Sequence, residues 1–272
     1  MCKVLKVSRS SYYKYLNKKP SNRELENAKI EKEIINIHKA SKKRYGAVKI
    51  NESLKALGIN ISLKRTQRLM RKLGIKSIII KKYRPTSSKS KIKEQENVLK
   101  RDFNATTINE KWVTDITYIH TIKDGWCYLA SVMDLYSRKI IGYAMSKSID
   151  TTLALQAVKN AIKLQKPNKP LILHSDLGCQ YTSSAFKEYI NSIKIITHSF
   201  SGKGCPYDNA CIESFHASLK KEEVHLVNYF DYDAARLAVF EYIEAWYNRK
   251  RIHSSIGYLT PQKCEDLARK IA

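Results

Sequence analysis

The chain has 272 residues, 43% of them hydrophobic, which is enough for one sizeable core or two smaller ones and too many for wholesale disorder. Fifty Lys and Arg against 25 Asp and Glu leave a formal net charge of +25, which points to a polyanionic partner. Six scattered cysteines without a Cys-x-x-Cys pair, and apolar runs too short to span a bilayer, argue against a disulfide scaffold, a structural zinc site and a membrane-spanning protein. The basic start has no signal-peptide core, so reduced thiols in a cytosolic protein are expected.

The charge is concentrated at the front. Residues 1–100 hold 28 basic and 7 acidic side chains, whereas residues 101–272 hold 22 and 18. In this front part Ile30, Ile34 and Ile37 recur at helical spacing within 27–40. Ala47, Ile50, Leu54 and Leu57 form a second helical pattern that stops at Gly58. A third starts after Ser62, a residue suited to capping, and runs through Leu69, Met70 and Leu73 to Gly74. Two short helices joined by a tight Gly-containing turn outline a helix-turn-helix. The last carries Lys64, Arg65, Arg68, Arg71 and Lys72, the side chains that a helix in a major groove would turn to phosphates and base edges. The alternative is a helical hairpin with a basic solvent face.

Residues 83–100 read as a flexible basic linker with a short helix near 94–100. After it the texture becomes strand-like: 111–121, then 126–134 across an Asp124-Gly125 hairpin signal, then 139–146. A helix over 151–165, an apolar strand at 171–173 running into His174-Ser175-Asp176, a helix at 184–193 and a strand at 194–197 follow. The loop 200–206 leads into a helix over 208–223, with further helices at 234–247 and 261–270. Three hairpin-ordered strands, then alternating helices and strands, predict an α/β fold. The expected form is a ribonuclease-H-like mixed sheet flanked by helices and preceded by a small all-helical domain. The expected divisions are 1–83 (helix-turn-helix-like), 84–104 (linker), 105–225 (catalytic core) and 226–272 (helical extension of the core).

Cutting and joining phosphodiesters calls for an attacking oxygen, a stabilised leaving oxygen and an in-line path between them. Two divalent ions about 4 Å apart can serve both oxygens. Magnesium and manganese prefer carboxylates, so the fold must gather acids that repel one another. Asp115 sits mid-strand among Val113, Ile116 and Ile119, where an unpaired charge is costly. Asp176 ends an apolar strand. Glu213 shares a helical face with Asn209, His216 and Lys220. Each has an ordinary reading too: Asp176 as a turn or cap and Glu213 as a solvated helix residue, with the bland reading weakest for Asp115. Asp134 is an alternative carboxylate, although the Leu-Tyr-Ser-Arg that follows favours a turn. His174 would either position a water or phosphate or pack beside Asp176. Asn209 would orient Glu213 or cap its helix. Trp246 and Tyr247 read as core rather than as a surface for stacking bases.

The strings Trp112-Val113-Thr114-Asp115-Ile116-Thr117-Tyr118, His174-Ser175-Asp176-x-Gly178-x-Gln180-Tyr181-Thr182-Ser183 and Asp208-Asn209-Ala210-x-x-Glu213-Ser214-Phe215 resemble insertion-sequence transposases. The resemblance is to the second-frame product of the insertion-sequence-three family, within the retroviral-integrase superfamily of DDE polynucleotidyl transferases. Arg44-Tyr45-Gly46 and Tyr247-Asn248-x-x-Arg251-x-His253-Ser254-x-x-Gly257-Tyr258-x-Thr260-Pro261 extend it over nearly the whole chain. It implies a transposase that cleaves and joins DNA at insertion-sequence ends, with Asp115, Asp176 and Glu213 as catalytic triad and metal ligands. It also implies two magnesium ions, with manganese able to substitute, and contact between Lys220 and transposon-end DNA. The implied partners are double-stranded DNA, further copies of the chain on that DNA, and an upstream-frame helix-turn-helix and coiled-coil protein, joined by frameshifting. A bacterial, nucleoid-associated location follows. The 36 residues between Asp176 and Glu213 are one more than is usual in the family, and the extra one is expected within 195–204. The rival readings are a non-catalytic DNA-binding regulator or decayed transposase subunit, and a nuclease that only hydrolyses.

Overall fold

A computed structural model describes every residue except 1, 3, 5, 18, 79–95, 203, 204 and 272. The chain forms two compact units, Met1–Ile78 and Ile79–Ala272. The expected boundary at 83/84 and most of the expected linker lie outside the described residues.

The first unit consists of α1 (Arg9–Leu16), α2 (Asn22–Ala40), α3 (Ala47–Ala56) and α4 (Leu63–Lys72). Helix α1 buries no residue and so carries no apolar periodicity to announce it. Helix α2 begins at Asn22 rather than Asn27 because Ser21 and Glu24 form a capping box. The Glu24 amide donates to Ser21 Oγ (3.2 Å) and the Ser21 amide to Glu24 Oε2 (2.7 Å). Helices α3 and α4 follow their periodicity; Gly58, at φ +80°, permits the turn and Ser62 caps α4. Ile30, Ile34, Ile50, Leu54, Leu69 and Met70 form the buried interior. Within it Asn51 Nδ2 donates to Ile61 O (3.0 Å) and Thr66 Oγ1 (2.9 Å), which fixes α4 against α3.

The second unit is built on β1 (Lys111–Thr121), β2 (Gly125–Asp134), β3 (Ile140–Ser146), α5 (Thr151–Gln165), β4 (Leu171–Ser175), α6 (Cys179–Thr182), α7 (Ser184–Ser192), β5 (Ile196–Phe200), α8 (Ala210–Glu222), α9 (Tyr232–Glu241) and α10 (Pro261–Ile271). The strands lie in the order β3-β2-β1-β4-β5, antiparallel in the hairpins and parallel for β1–β4 and β4–β5. This is the expected α/β class: a ribonuclease-H-like mixed sheet flanked by helices and preceded by a helical unit. Strand alternation separates two apolar layers. Trp112, Ala130, Val132 and Ile141 pack with Ala154, Ala157, Val158 and Ala161 of α5, and with Tyr181, Phe186 and Ile190. On the other face Ser131, one of the odd-numbered β2 positions, meets His216 of α8.

Three local expectations fail. Residues 96–100 form bends and a turn, not a helix: the Leu99 amide donates to Ser199 Oγ (2.9 Å), the Phe200 amide to Glu96 O (3.0 Å) and the Lys100 amide to Asn97 Oδ1 (2.8 Å). The segment is thus bound to β5 through atoms that a helix would use internally. Strand β5 lies at 196–200 rather than 194–197, extended by its parallel pairing with all of β4. The helix expected over 234–247 is α9 followed by a wider π-helical stretch, Tyr242–Tyr247, which buries Tyr242, Ile243, Trp246 and Tyr247. Trp246 and Tyr247 are therefore core residues, as read from the sequence.

Gly142 of β3 lets α5 approach the sheet closely. A Cβ there would lie 2.5 Å from Ala157 O and 2.6 Å from both Ala161 N and Cβ. A Gly142→Ala variant is expected to lose about 1–3 kcal/mol of stability by forcing α5 away, measured as a lowered midpoint in urea unfolding.

Candidate active site

Asp115 lies just past the last β1–β4 pair, Val113 with His174, and opposite Ser131 of β2. Helix α8 is docked on both sides of it. Asn209, at the helix start, donates from Nδ2 to Thr114 O (3.0 Å). One turn beyond Glu213, His216 places Nδ1 3.3 Å from Asp115 Oδ2 and Nε2 3.4 Å from Ser131 Oγ. The Ile116 amide donates to Asp115 Oδ1 at 2.8 Å. These contacts carry Glu213 to the neighbourhood of β1.

Asp176 follows β4 directly. The Gly178 amide donates to its Oδ1 at 3.0 Å, and a Cβ on Gly178 would come within 3.0 Å of that same oxygen. The Asp176 carboxyl is pushed up to about 6, first by burial and then by the charges of Asp115 and Glu213. Glu213 keeps an accessible side chain, yet partial desolvation and Asp115 raise it as well, against a smaller opposing effect of His216. The three predicted carboxylates therefore stand in one another's fields. Lys220 is half-buried; desolvation lowers it while Asp115 raises it, and its ammonium sits 4.0 Å from the centre of the Tyr118 ring. Among the described residues, no group of three or more His, Cys, Asp or Glu side chains is already disposed to hold a metal ion.

The other candidates resolve into structural roles. Asp134 is buried and caps its turn, accepting from Ser137 N (2.8 Å), Ser137 Oγ (2.7 Å) and Asn109 N (2.9 Å). His174 is fully buried, with Nδ1 2.9 Å from Ser199 Oγ and Nε2 3.1 Å from Ser201 Oγ, so it packs beside Asp176. Asn209 neither orients Glu213 directly nor caps α8 with its side chain; it pins the helix to β1. On α4, Lys64, Arg68 and Arg71 are exposed, whereas Arg65 reaches back to α2, donating to Glu26 Oε2 and Asn27 Oδ1, both at 2.8 Å.

Three anchors have roles that sequence position alone did not reveal. Asp208 takes Arg101 Nε (2.5 Å), Gly202 N (2.7 Å) and Asn97 Nδ2 (2.9 Å), tying the segment before β1 to the loop before α8. Glu222, at the far end of α8, accepts from Tyr242 OH, Trp246 Nε1 and Arg251 Nε, each at 3.0 Å. Asn248 both donates to and accepts from the Ile140 backbone at 3.0 Å. The motif from Tyr247 onward thus clamps α8 and β3. Asp208 and Asn248 lie inside the quoted motifs, whereas Glu222 lies outside them and carried no signal in the sequence.

The transposase InsF of insertion sequence IS3A from Escherichia coli (strain K12) is 37% identical over 269 residues, covering 98% of this chain and 93% of the relative. The chain belongs to the insertion-sequence transposase family. A 31 kDa protein of insertion element IS600 from Shigella sonnei is 35% identical, covering 96% of each chain. Integrase core domain models match residues 105–206 and 194–261, and an HTH-like domain model matches 24–83. A more distant likeness joins the chain to the HTLV-2 integrase catalytic core domain in complex with magnesium, with TM-score 0.45 and 19% identity over 60% of this chain and 99% of that one. In this transposase Asp115 and Asp176 fall within the first integrase core match, Glu213 within the second, and the exposed cations of α4 within the HTH-like match.

On β4 and β5, the strands that lead to Asp176 and lie beside it, buried imidazoles set an acid limit. His174 is lowered to about 4 and His198 to about 3, in both cases first by burial. Because the folded values lie below the ordinary 6.5, the unfolded chain binds protons first, and the stabilisation they carry is lost as pH falls from about 6.5 toward 4. Unfolding free energies of wild type and His174→Asn across that window should differ in slope by up to about 1.4 kcal/mol per pH unit, the wild type falling more steeply. Parallel profiles would refute this assignment.

Proposed function

We propose that this transposase cleaves and transfers DNA strands at insertion-sequence ends with Asp115, Asp176 and Glu213 as its catalytic triad. The observation that carries this reading is placement: Asp115 lies just past the β1–β4 pairing, Asp176 ends β4, and the helix that bears Glu213 is pinned to β1 by Asn209 on Thr114 O and His216 on Asp115, with the charge of Asp115 acting on both other carboxylates. The donors also fit a hard divalent cation, magnesium or manganese, because they are all carboxylates and their mutual repulsion is what a cation relieves. When bound, two such ions supply Lewis-acid stabilisation to the attacking and leaving oxygens.

The chain's own groups then hold and orient. The Ile116 amide and His216 fix the two oxygens of Asp115, and the Gly178 amide fixes one oxygen of Asp176. Hydrolysis of one phosphodiester frees a 3′ hydroxyl, and that oxygen attacks a second phosphodiester in strand transfer. Lys220, which feels the charge of Asp115, contacts a DNA phosphate beside the reacting one. Lys64, Arg68 and Arg71 of α4 engage DNA, with Arg65 set aside for holding α4 to α2. The remaining parts of the reading are assembly of several copies on DNA, fusion to an upstream-frame helix-turn-helix and coiled-coil partner, and a cytoplasmic, nucleoid-associated location.

Asp115→Asn and Glu213→Gln are each expected to abolish magnesium-dependent strand transfer on end-containing DNA while leaving gel-shift affinity within about threefold. Full joining activity by Asp115→Asn would refute the triad. For α4, Arg68→Ala and Arg71→Ala should each reduce the slope of log affinity against log salt by roughly one. An unchanged slope would remove α4 from the DNA interface.

A further inference from the structure

The aromatic side chains weighed in the sequence as a stacking surface are buried, but a different set is not. Tyr118 and Trp126 are 40% and 53% exposed, and His120 is exposed beside them. Strands β1 and β2 pair Tyr118 with Tyr128 and His120 with Trp126, so the exposed rings share one face of the hairpin. Trp126 meets Tyr118 edge-on at 5.3 Å and His120 at 5.0 Å. Such contacts fix the rotamers of large rings in water, so a ligand ring would meet a surface whose side-chain entropy is already spent.

Position identifies that ligand. By alternation Tyr118 leaves the face of Asp115, but Lys220 links the two, with its ammonium over the Tyr118 ring and its charge coupled to Asp115. Lys123, in the turn of the same hairpin, is exposed. Flat rings with cations beside them, in a chain of net charge +25, suit planar bases on a phosphate backbone better than an aliphatic partner. Paired bases hide their faces within the stack; unpaired ones do not. We propose that Tyr118, His120 and Trp126 form a stacking platform for unpaired nucleobases of a DNA strand next to the cleavage site. The adjacency to cleavage rests on the assignment of Asp115; the platform itself does not.

The test uses full-length Asp115→Asn protein without added metal, so that cleavage cannot interfere, with an oligothymidylate and a fully paired duplex of mixed sequence as probes. Trp112 and Trp246 are buried, which leaves Trp126 as the indole open to quenching by a stacked base. The oligothymidylate should quench tryptophan fluorescence, and adding Trp126→Leu should weaken its binding roughly tenfold or more. Trp126→Phe should restore most of that affinity, while duplex affinity stays within about twofold in every variant. Oligothymidylate binding unaffected by Trp126→Leu overturns the platform, and so does an equal loss for both probes. Strand transfer by wild-type protein is scored separately. If it is absent while Trp126-dependent binding persists, the catalytic reading fails alone; if it is present while binding ignores Trp126, the platform fails alone.

Discussion

If Asp115, Asp176 and Glu213 act together as proposed, repulsion among these three acids is the constraint that the surrounding contacts must hold against. Asp115 comes from β1, Asp176 from the end of β4 and Glu213 from α8, and each would relax outward if its element were free to move. The two aspartates share a sheet, so their spacing is fixed by parallel pairing at Lys111–Val113. Glu213 has no such frame. Its helix is held at its start by Asn209 on Thr114, in its middle by His216 on Asp115 and Ser131, and at its end by Glu222 in the hands of Tyr242, Trp246 and Arg251. The C-terminal segment is therefore part of the site's construction, although none of its residues is among the three acids.

The floor of the site shows the same logic in neutral groups. His174 lies between Ser199 and Ser201, and His198 meets Ser175, so β4 and β5 are joined by side chains as well as by backbone pairing. Burial keeps both imidazoles uncharged. Neutral hydrogen-bonded rings stiffen the strand that presents Asp176 without placing a fixed cation beneath it, which leaves the charge of the acids to be balanced from the open side.

What was legible in the sequence followed from covalent periodicity. Alternation in β1 and β2, the apolar run of β4 and the caps of α3 and α4 are local patterns, and the mixed-sheet class could be inferred from the order of these elements. Asp115 stood out because a mid-strand acid lacks a local excuse. Glu213 did not, because a charged residue on a helix is ordinary until its partner face is known. Helix α1 escaped because it has no buried side. The turn at 96–100 and the end of β5 depend on each other through Ser199 and Phe200, a pairing that no window of neighbouring residues contains. Aromatic residues posed the same difficulty: Trp246 and Trp126 look alike in sequence, and only the burial of one against Glu222 and the 53% exposure of the other separate core from surface.

The uneven distribution of charge along the chain has a physical rationale in this setting. The proposed triad of carboxylates would repel the phosphates it must approach, and the buried, neutral imidazoles of His174 and His198 would offer no compensation. Affinity for DNA therefore has to come from elsewhere. Residues 1–100 carry most of the excess cations, and Lys64, Arg68 and Arg71 stand exposed there on one short helix. Within the second unit Lys220 stands close by, half-buried and with its ammonium over the Tyr118 ring, within the field of Asp115. A free, mobile lysine at that position would instead fold onto the acids and compete with a divalent cation. Stationing the ammonium over an aromatic ring keeps one positive charge beside the site and the carboxylates open to metal.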